Sequence, residues 1–66
     1  PMAEGELYSL ACKFLRETDS AVLIYDYATQ EELWIPLSQV HSMHKDGKGD
    51  GSITMTTWIA KQKHLI

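Results

Sequence analysis

Between residues 7 and 16 the side chains alternate, with Tyr8, Leu10, Cys12 and Phe14 on one side and Ser9, Ala11, Lys13 and Leu15 on the other. A period of two marks a strand that turns one face to a core. A strand needs partners, and the sequence supplies them. The polar cluster Glu17-Thr18-Asp19-Ser20 has the length of a turn, and residues 21–27 are rich in β-branched and aromatic types, so the pair predicts a hairpin. After a second polar break, Ala28-Thr29-Gln30-Glu31-Glu32, comes a third strand, Leu33-Trp34-Ile35. It stops at Pro36, which lacks a ladder donor and holds its predecessor extended.

Leu37-Ser38-Gln39-Val40 is too short for an α-helix and, following a proline, suits one turn of 3₁₀. Residues 40–44 resume a strand, a glycine-rich loop follows, and residues 52–56 form the return strand. Thr56 or Thr57 can cap a last helix over residues 58–63, where Lys61, Lys63 and His64 complement the dipole in the final turn. The expected fold class is mainly β: a small, strongly bent five-stranded antiparallel sheet or partly closed barrel with a short C-terminal helix. Its expected core is Leu10, Cys12, Phe14, Val22, Ile24, Leu33, Ile35, Val40, Ile53, Met55 and Trp58.

At 66 residues the chain is one domain, 1–66, near the lower size limit for a core without staples. With Cys12 alone there is no internal disulfide, which suits a reducing compartment. The longest apolar run, residues 21–25, is far too short to span a bilayer, and no charged-then-apolar leader pattern opens the chain. The expectation is a soluble, cytoplasmic protein with no membrane partner. Pro1-Met2 reads as a protease-site remnant before the initiator, so the N-terminus is expected to carry no function. A net charge of −3 argues against a non-specific grip on nucleic acid, which rests on many phosphate contacts.

The stretch Asp46-Gly47-Lys48-Gly49-Asp50-Gly51-Ser52-Ile53-Thr54 resembles a calcium loop of the EF-hand kind. Asp46, Asp50, Gly51 and Ile53 fall on the first, fifth, sixth and eighth positions of that loop. But Lys48 puts an ammonium at the third position, and Thr57 at the twelfth cannot bind in bidentate fashion. The flanking residues have no helical period. Glycine and aspartate here suit a hairpin tip instead. His41 and His44 would share a helix face, but on a strand they point to opposite sides, so a zinc site with Cys12 and His64 is the weaker reading. No metal and no cofactor is expected.

Catalysis finds little support in the residues. Cys12 lies on the apolar side of the first strand, where a cysteine behaves as a small hydrophobe. Ser38 has no nucleophile elbow around it. Glu31 and Glu32 read as solvated turn residues. The glycine loop leads into a strand and lacks the Lys-Ser/Thr of a phosphate cradle. A catalytic pocket of roughly 300 Å³ would consume much of so small a domain. The chain is read as a non-enzyme.

Leu23, Tyr25 and Tyr27 share one strand face, and Trp34 lies opposite to Leu33 and Ile35. Exposed, they would be an aromatic patch of the kind that anchors interfaces; the alternative is that the C-terminal helix covers them through Trp58 and Ile59. Tyr25-Asp26-Tyr27 and Trp34-Ile35-Pro36-Leu37-Ser38-Gln39-Val40 resemble fragments of SH3 domains. A functional likeness would make Tyr25, Tyr27, Trp34 and Pro36 the ligand-contacting positions, but the two fragments lie closer together than in that family, so the likeness implies an SH3-like small barrel without that family's proline-rich ligand. FLRETDSAVLI, EELWIPLSQV and TTWIAKQKHLI resemble a recurrent type of short phage and prophage protein, with Trp34-Ile35-Pro36 and Ser38-Gln39 as the most specific element.

The second resemblance implies a phage origin more than an activity; a small barrel with acidic strands and an aromatic patch is read as a non-enzymatic, phage-type binding protein that occupies a surface of a larger host protein in the host cytoplasm. An inhibitor of host defence, anti-CRISPR proteins included, falls in that class. Its expected contact residues are Tyr25, Tyr27, Trp34, Pro36, Glu31 and Glu32. The runner-up is a single-strand nucleic-acid binder, with Tyr25, Tyr27 and Trp34 stacking on bases and Lys13, Lys45, Lys48 and Lys61 on phosphates; Lys45, Lys48, Lys61 and Lys63 would form its basic strip. A third reading is a homo-oligomer that closes its sheet edges by self-pairing. Of the two tryptophans, Trp34 is expected at the rim and Trp58 in the core.

Overall fold

A computed structural model describes residues 6–66. Five antiparallel strands form one sheet: β1 (Leu7–Glu17), β2 (Ala21–Asp26), β3 (Glu31–Pro36), β4 (Val40–Lys45) and β5 (Asp50–Thr56). A 3₁₀ turn (Leu37–Gln39) links β3 to β4, and a helix α1 (Thr57–Gln62) closes the chain. The strand order is β3-β2-β1-β5-β4, so the long first strand lies at the centre and the sheet stays open between β3 and β4. The Pro1-Met2 opening lies outside the described residues.

The alternation in β1 does what its period requires: Cys12 is fully buried, and Tyr8, Leu10 and Phe14 pack against the core. Val22, Ile24, Ile35, Ile53 and Met55 complete the inner face. Two bulges increase the local twist and help the sheet curl around this small core. One lies between Phe14 and Arg16, leaving Leu15 as the extra residue; the other lies between Val40 and Ser42, leaving His41. Gly51 serves the same curl. A Cβ built there would stand 1.8 Å from the carbonyl oxygen of His44, so β4 can approach β5 this closely only across a glycine.

Three hairpin and corner contacts fix the register. Thr18 folds the β1–β2 turn, its hydroxyl oxygen accepting from the Ala21 N–H at 3.1 Å. Pro36 ends β3, and the Leu37 N–H donates to the Ser20 carbonyl at 2.9 Å, tying the 3₁₀ corner back to the first hairpin. Thr56 caps α1 by accepting from the Ile59 N–H at 3.3 Å, and its own hydroxyl donates to Gln39 Oε1 at 2.7 Å. Gln39 thereby joins the corner to the helix start. At the other end His64 takes a positive φ of 60° and the Leu65 N–H donates to the Ala60 carbonyl at 2.8 Å. This is a left-handed helix stop with histidine in the place glycine usually holds.

Two expectations are corrected. Trp58 is not in the core: it is 48% exposed. With the cap at Thr56, the 100° step per residue brings Ile59 and Ala60 onto the sheet and turns Trp58 outward. Glu31 and Glu32 are not turn residues but open β3. The turn before them is tighter than its polar composition suggested, because Gln30 adopts a positive φ of 62° and its N–H donates to the Asp26 carbonyl at 2.7 Å. Pairing resumes at once with Glu31 opposite Asp26.

Candidate binding face

The outer face of β1, β2 and β3 is set by register. Leu23 on β2 pairs with Trp34 on β3 and, across the Leu15 bulge, with Arg16 on β1. Two residues further along β2, Tyr25 pairs with Glu32 on β3 and with Lys13 on β1, and Lys13 in turn pairs with Asp50 on β5. Cross-strand partners point to the same side. One row therefore reads Trp34, Leu23, Arg16, and the next reads Glu32, Tyr25, Lys13, Asp50. Trp34 is 41% exposed, and Lys13, Arg16 and Glu32 are exposed as well.

Tyr27 extends the second row from the turn. Its ring meets that of Tyr25 edge to face at 5.6 Å and 76°. Its hydroxyl donates to the Asp50 carboxylate, and that bond is the main cause pushing the phenol up to about 12. Tyr25, Tyr27 and Trp34 thus lie on one surface, as their spacing predicted. The helix does not cover them, since Ile59 and Ala60 pack into the core on the other side. Glu32 joins this surface; Glu31, its neighbour along the strand, points to the opposite face. Pro36 stands at the far end of β3, opposite Ala21.

The four lysines of the alternative strip do not form one surface. Lys45 reaches across the inner side, 3.6 Å from Glu17 and 5.1 Å above the Phe14 ring. Lys48 sits at the β4–β5 tip, whereas Lys61 and Lys63 follow the opposite end of β5. Seven residues of strand separate the two pairs by about 20 Å. The basic residues that do adjoin the aromatics are Lys13 and Arg16. Lys13 was legible from the alternation; Arg16 was not, because only the bulge brings it to this face.

The remaining polar candidates are engaged in folding. Asp26 is 2% exposed and accepts from the Ala28 N–H and the Thr29 hydroxyl, both at 3.0 Å, so its carboxylate builds the β2–β3 turn. Asp46 builds the β4–β5 tip, its Oδ1 accepting from the N–H groups of Lys48 at 2.7 Å and Asp50 at 3.0 Å. That loop is a hairpin tip whose first aspartate is turned on its own backbone. Among the described residues no three of His, Cys, Asp and Glu come together as metal ligands. Burial, reinforced by the nearby Asp26 carboxylate, pushes the Cys12 thiol up to about 11. No helix among the described residues is long and apolar enough to cross a membrane.

No family model, curated protein or solved structure matches the chain.

Proposed function

We propose that this chain is a non-enzymatic, phage-type binding protein that uses its outer face to occupy a surface of a larger host protein in the host cytoplasm. Inhibition of a host defence effector, in the manner of anti-CRISPR proteins, is the form of action that fits a rigid module of this size. The observation that carries the reading is the stripe formed by exposed Trp34 and Tyr27 with half-buried Leu23 and Tyr25 between them. It lies on a sheet whose other side already holds the core. Large aromatic side chains kept in water and unused by packing are the usual anchors of protein interfaces. Glu32 and Asp50 at its margins favour a partner with basic groups there.

The test is capture of partners from a bacterial host lysate on immobilised protein, run in parallel with Trp34→Ala and Tyr25→Ala. A stoichiometric host protein held by the wild type and lost by both variants is expected. A partner held equally by all three, or none held by the wild type, overturns the reading.

One observation favours single-stranded nucleic acid as the second reading: Lys13 and Arg16 stand in the same rows as Tyr25 and Trp34. Against it, Glu32 and Asp50 occupy the same surface. Anisotropy with a labelled oligonucleotide separates the two. Tight binding with a steep salt slope, weakened by Tyr25→Ala or Trp34→Ala, would put nucleic acid first.

A further inference from the structure

Over β1, β2 and β3 the charges of the outer face are sorted by strand; Asp50 on β5 lies beyond them and accepts from the Tyr27 hydroxyl. Glu32 is on β3, Lys13 and Arg16 are on β1, and the uncharged Leu23 and Tyr25 lie between them on β2. None of these three charged side chains has an ion-pair partner among the described residues. We propose that this face binds a second copy of itself, forming a symmetric dimer about a two-fold axis that runs along β2. The proposal goes beyond the host-protein reading and stands or falls without it.

The register dictates the pairing. A half-turn about an axis parallel to β2, lying in the plane of contact, keeps position along the strand and exchanges the β1 and β3 sides. The first row then sets Trp34 against Arg16 of the second copy, and Arg16 against its Trp34, with the two Leu23 side chains meeting on the axis. In the second row Glu32 faces Lys13 of the second copy, Lys13 faces its Glu32, and the two Tyr25 rings meet. Each off-axis contact is made twice, and Leu23 and Tyr25 each meet their own copy once on the axis, as an isologous interface requires. All are of favourable kinds: guanidinium over indole, ammonium against carboxylate, apolar against apolar.

Twist does not spoil this match. Two stacked sheets cross at about 30°, which displaces residues one strand from the axis by only about 2–3 Å. Arg, Lys and Glu side chains absorb that. An arrangement about an axis across the strands would instead keep β1 opposite β1 and so set the cations Lys13 and Arg16 against those of the second copy, so the charge order also selects the orientation. The patch has about six residues a side, against roughly 20–30 in a standard interface, so the dimer is weak and its dissociation constant is on the order of 100 µM. Such a dimer shelters the aromatic stripe at high concentration and opens to a tighter partner at low concentration.

The test is sedimentation equilibrium of the purified chain from about 10 µM to about 2 mM, with the affected residues located by concentration-dependent amide shifts. The expected result is a reversible monomer–dimer equilibrium with shifts centred on Leu23, Tyr25 and Trp34. Lys13→Glu and Glu32→Lys, each singly, weaken it roughly tenfold or more, because each creates two like-charge contacts. The double variant Lys13→Glu/Glu32→Lys restores it, since the swapped charges again face each other. Both positions are exposed, so if one single variant fails to fold the other carries the same comparison. A monomer throughout, shifts confined to the β3 or β4 edge, or a double variant no stronger than the singles overturns the proposal.

Discussion

The two faces of this sheet are built from the same kinds of residue to opposite ends. On the inner face each side chain answers to another: Cys12, Ile24, Ile53 and Met55 are fully buried, and at its margin Asp26 satisfies both carboxylate oxygens within its own turn. On the outer face Trp34, Arg16, Lys13 and Glu32 stand in orderly rows, and the described contacts give none of them a part in holding the fold. Apolar area that leaves water stabilises the fold, whereas apolar area left in water is available to a partner. Composition alone cannot separate the two, since each face has its share of large hydrophobics. Register can.

A cavity on the inner face should do the most damage to the fold. Ile24→Ala or Ile53→Ala should cost about 3–4 kcal/mol and leave so small a domain largely unfolded at room temperature, as urea melts followed by circular dichroism would show. Labelling of Cys12 should follow the same order. Its buried thiol is expected to be inert in the wild type and to react in these variants as they open. The thiol is also a pH probe. Because folding raises its pKa from 9.0 to about 11, its contribution to stability is complete below about pH 9 and is lost as the pH climbs from there through about 11. Melts at rising pH should show it, and Cys12→Ala should flatten that part of the profile.

Next in size is Gly51→Ala. The added Cβ meets backbone rather than a movable side chain, so β4 must lift from β5, at a cost of about 2–3 kcal/mol. Amide exchange should rise first along Val40–Lys45. Smaller again is Thr56→Ala, which removes the helix cap and the Gln39 bond together. A loss of about 1–2 kcal/mol is expected, with the effect concentrated in α1 and the 3₁₀ corner. A change confined to the helix would show that the Gln39 contact adds nothing.

The order and type of every element could be read from the sequence, because period-two alternation, a proline stop and a threonine cap are local signals. That Leu23, Tyr25 and Tyr27 share a face was also legible, since strand parity fixes it; that the helix leaves this face uncovered was not, because it depends on which side of the sheet α1 packs. What could not be read came from departures in register and phase. The Leu15 bulge carries Arg16 to the outer face, whereas simple alternation assigns it to the inner one. The helix phase, set by whether Thr56 or Thr57 is the cap, decides between Trp58 and the Ile59–Ala60 pair as the core contact. Asp26 resembled part of a ligand-binding segment and is a buried turn builder, because the burial of a carboxylate depends on partners two and three residues on.

The two exposed tryptophans should have the smallest effects on folding. Trp58→Ala should change stability by no more than about 0.5 kcal/mol, as exposed positions away from caps and cores generally do. Trp34→Ala separates binding from folding, with one protein measured in two ways: a urea melt for the fold and sedimentation equilibrium for self-association. The melt should stay within about 0.5 kcal/mol of wild type while the dimer weakens roughly tenfold or more. A variant that unfolds, or one that folds and dimerises like the wild type, would overturn that separation.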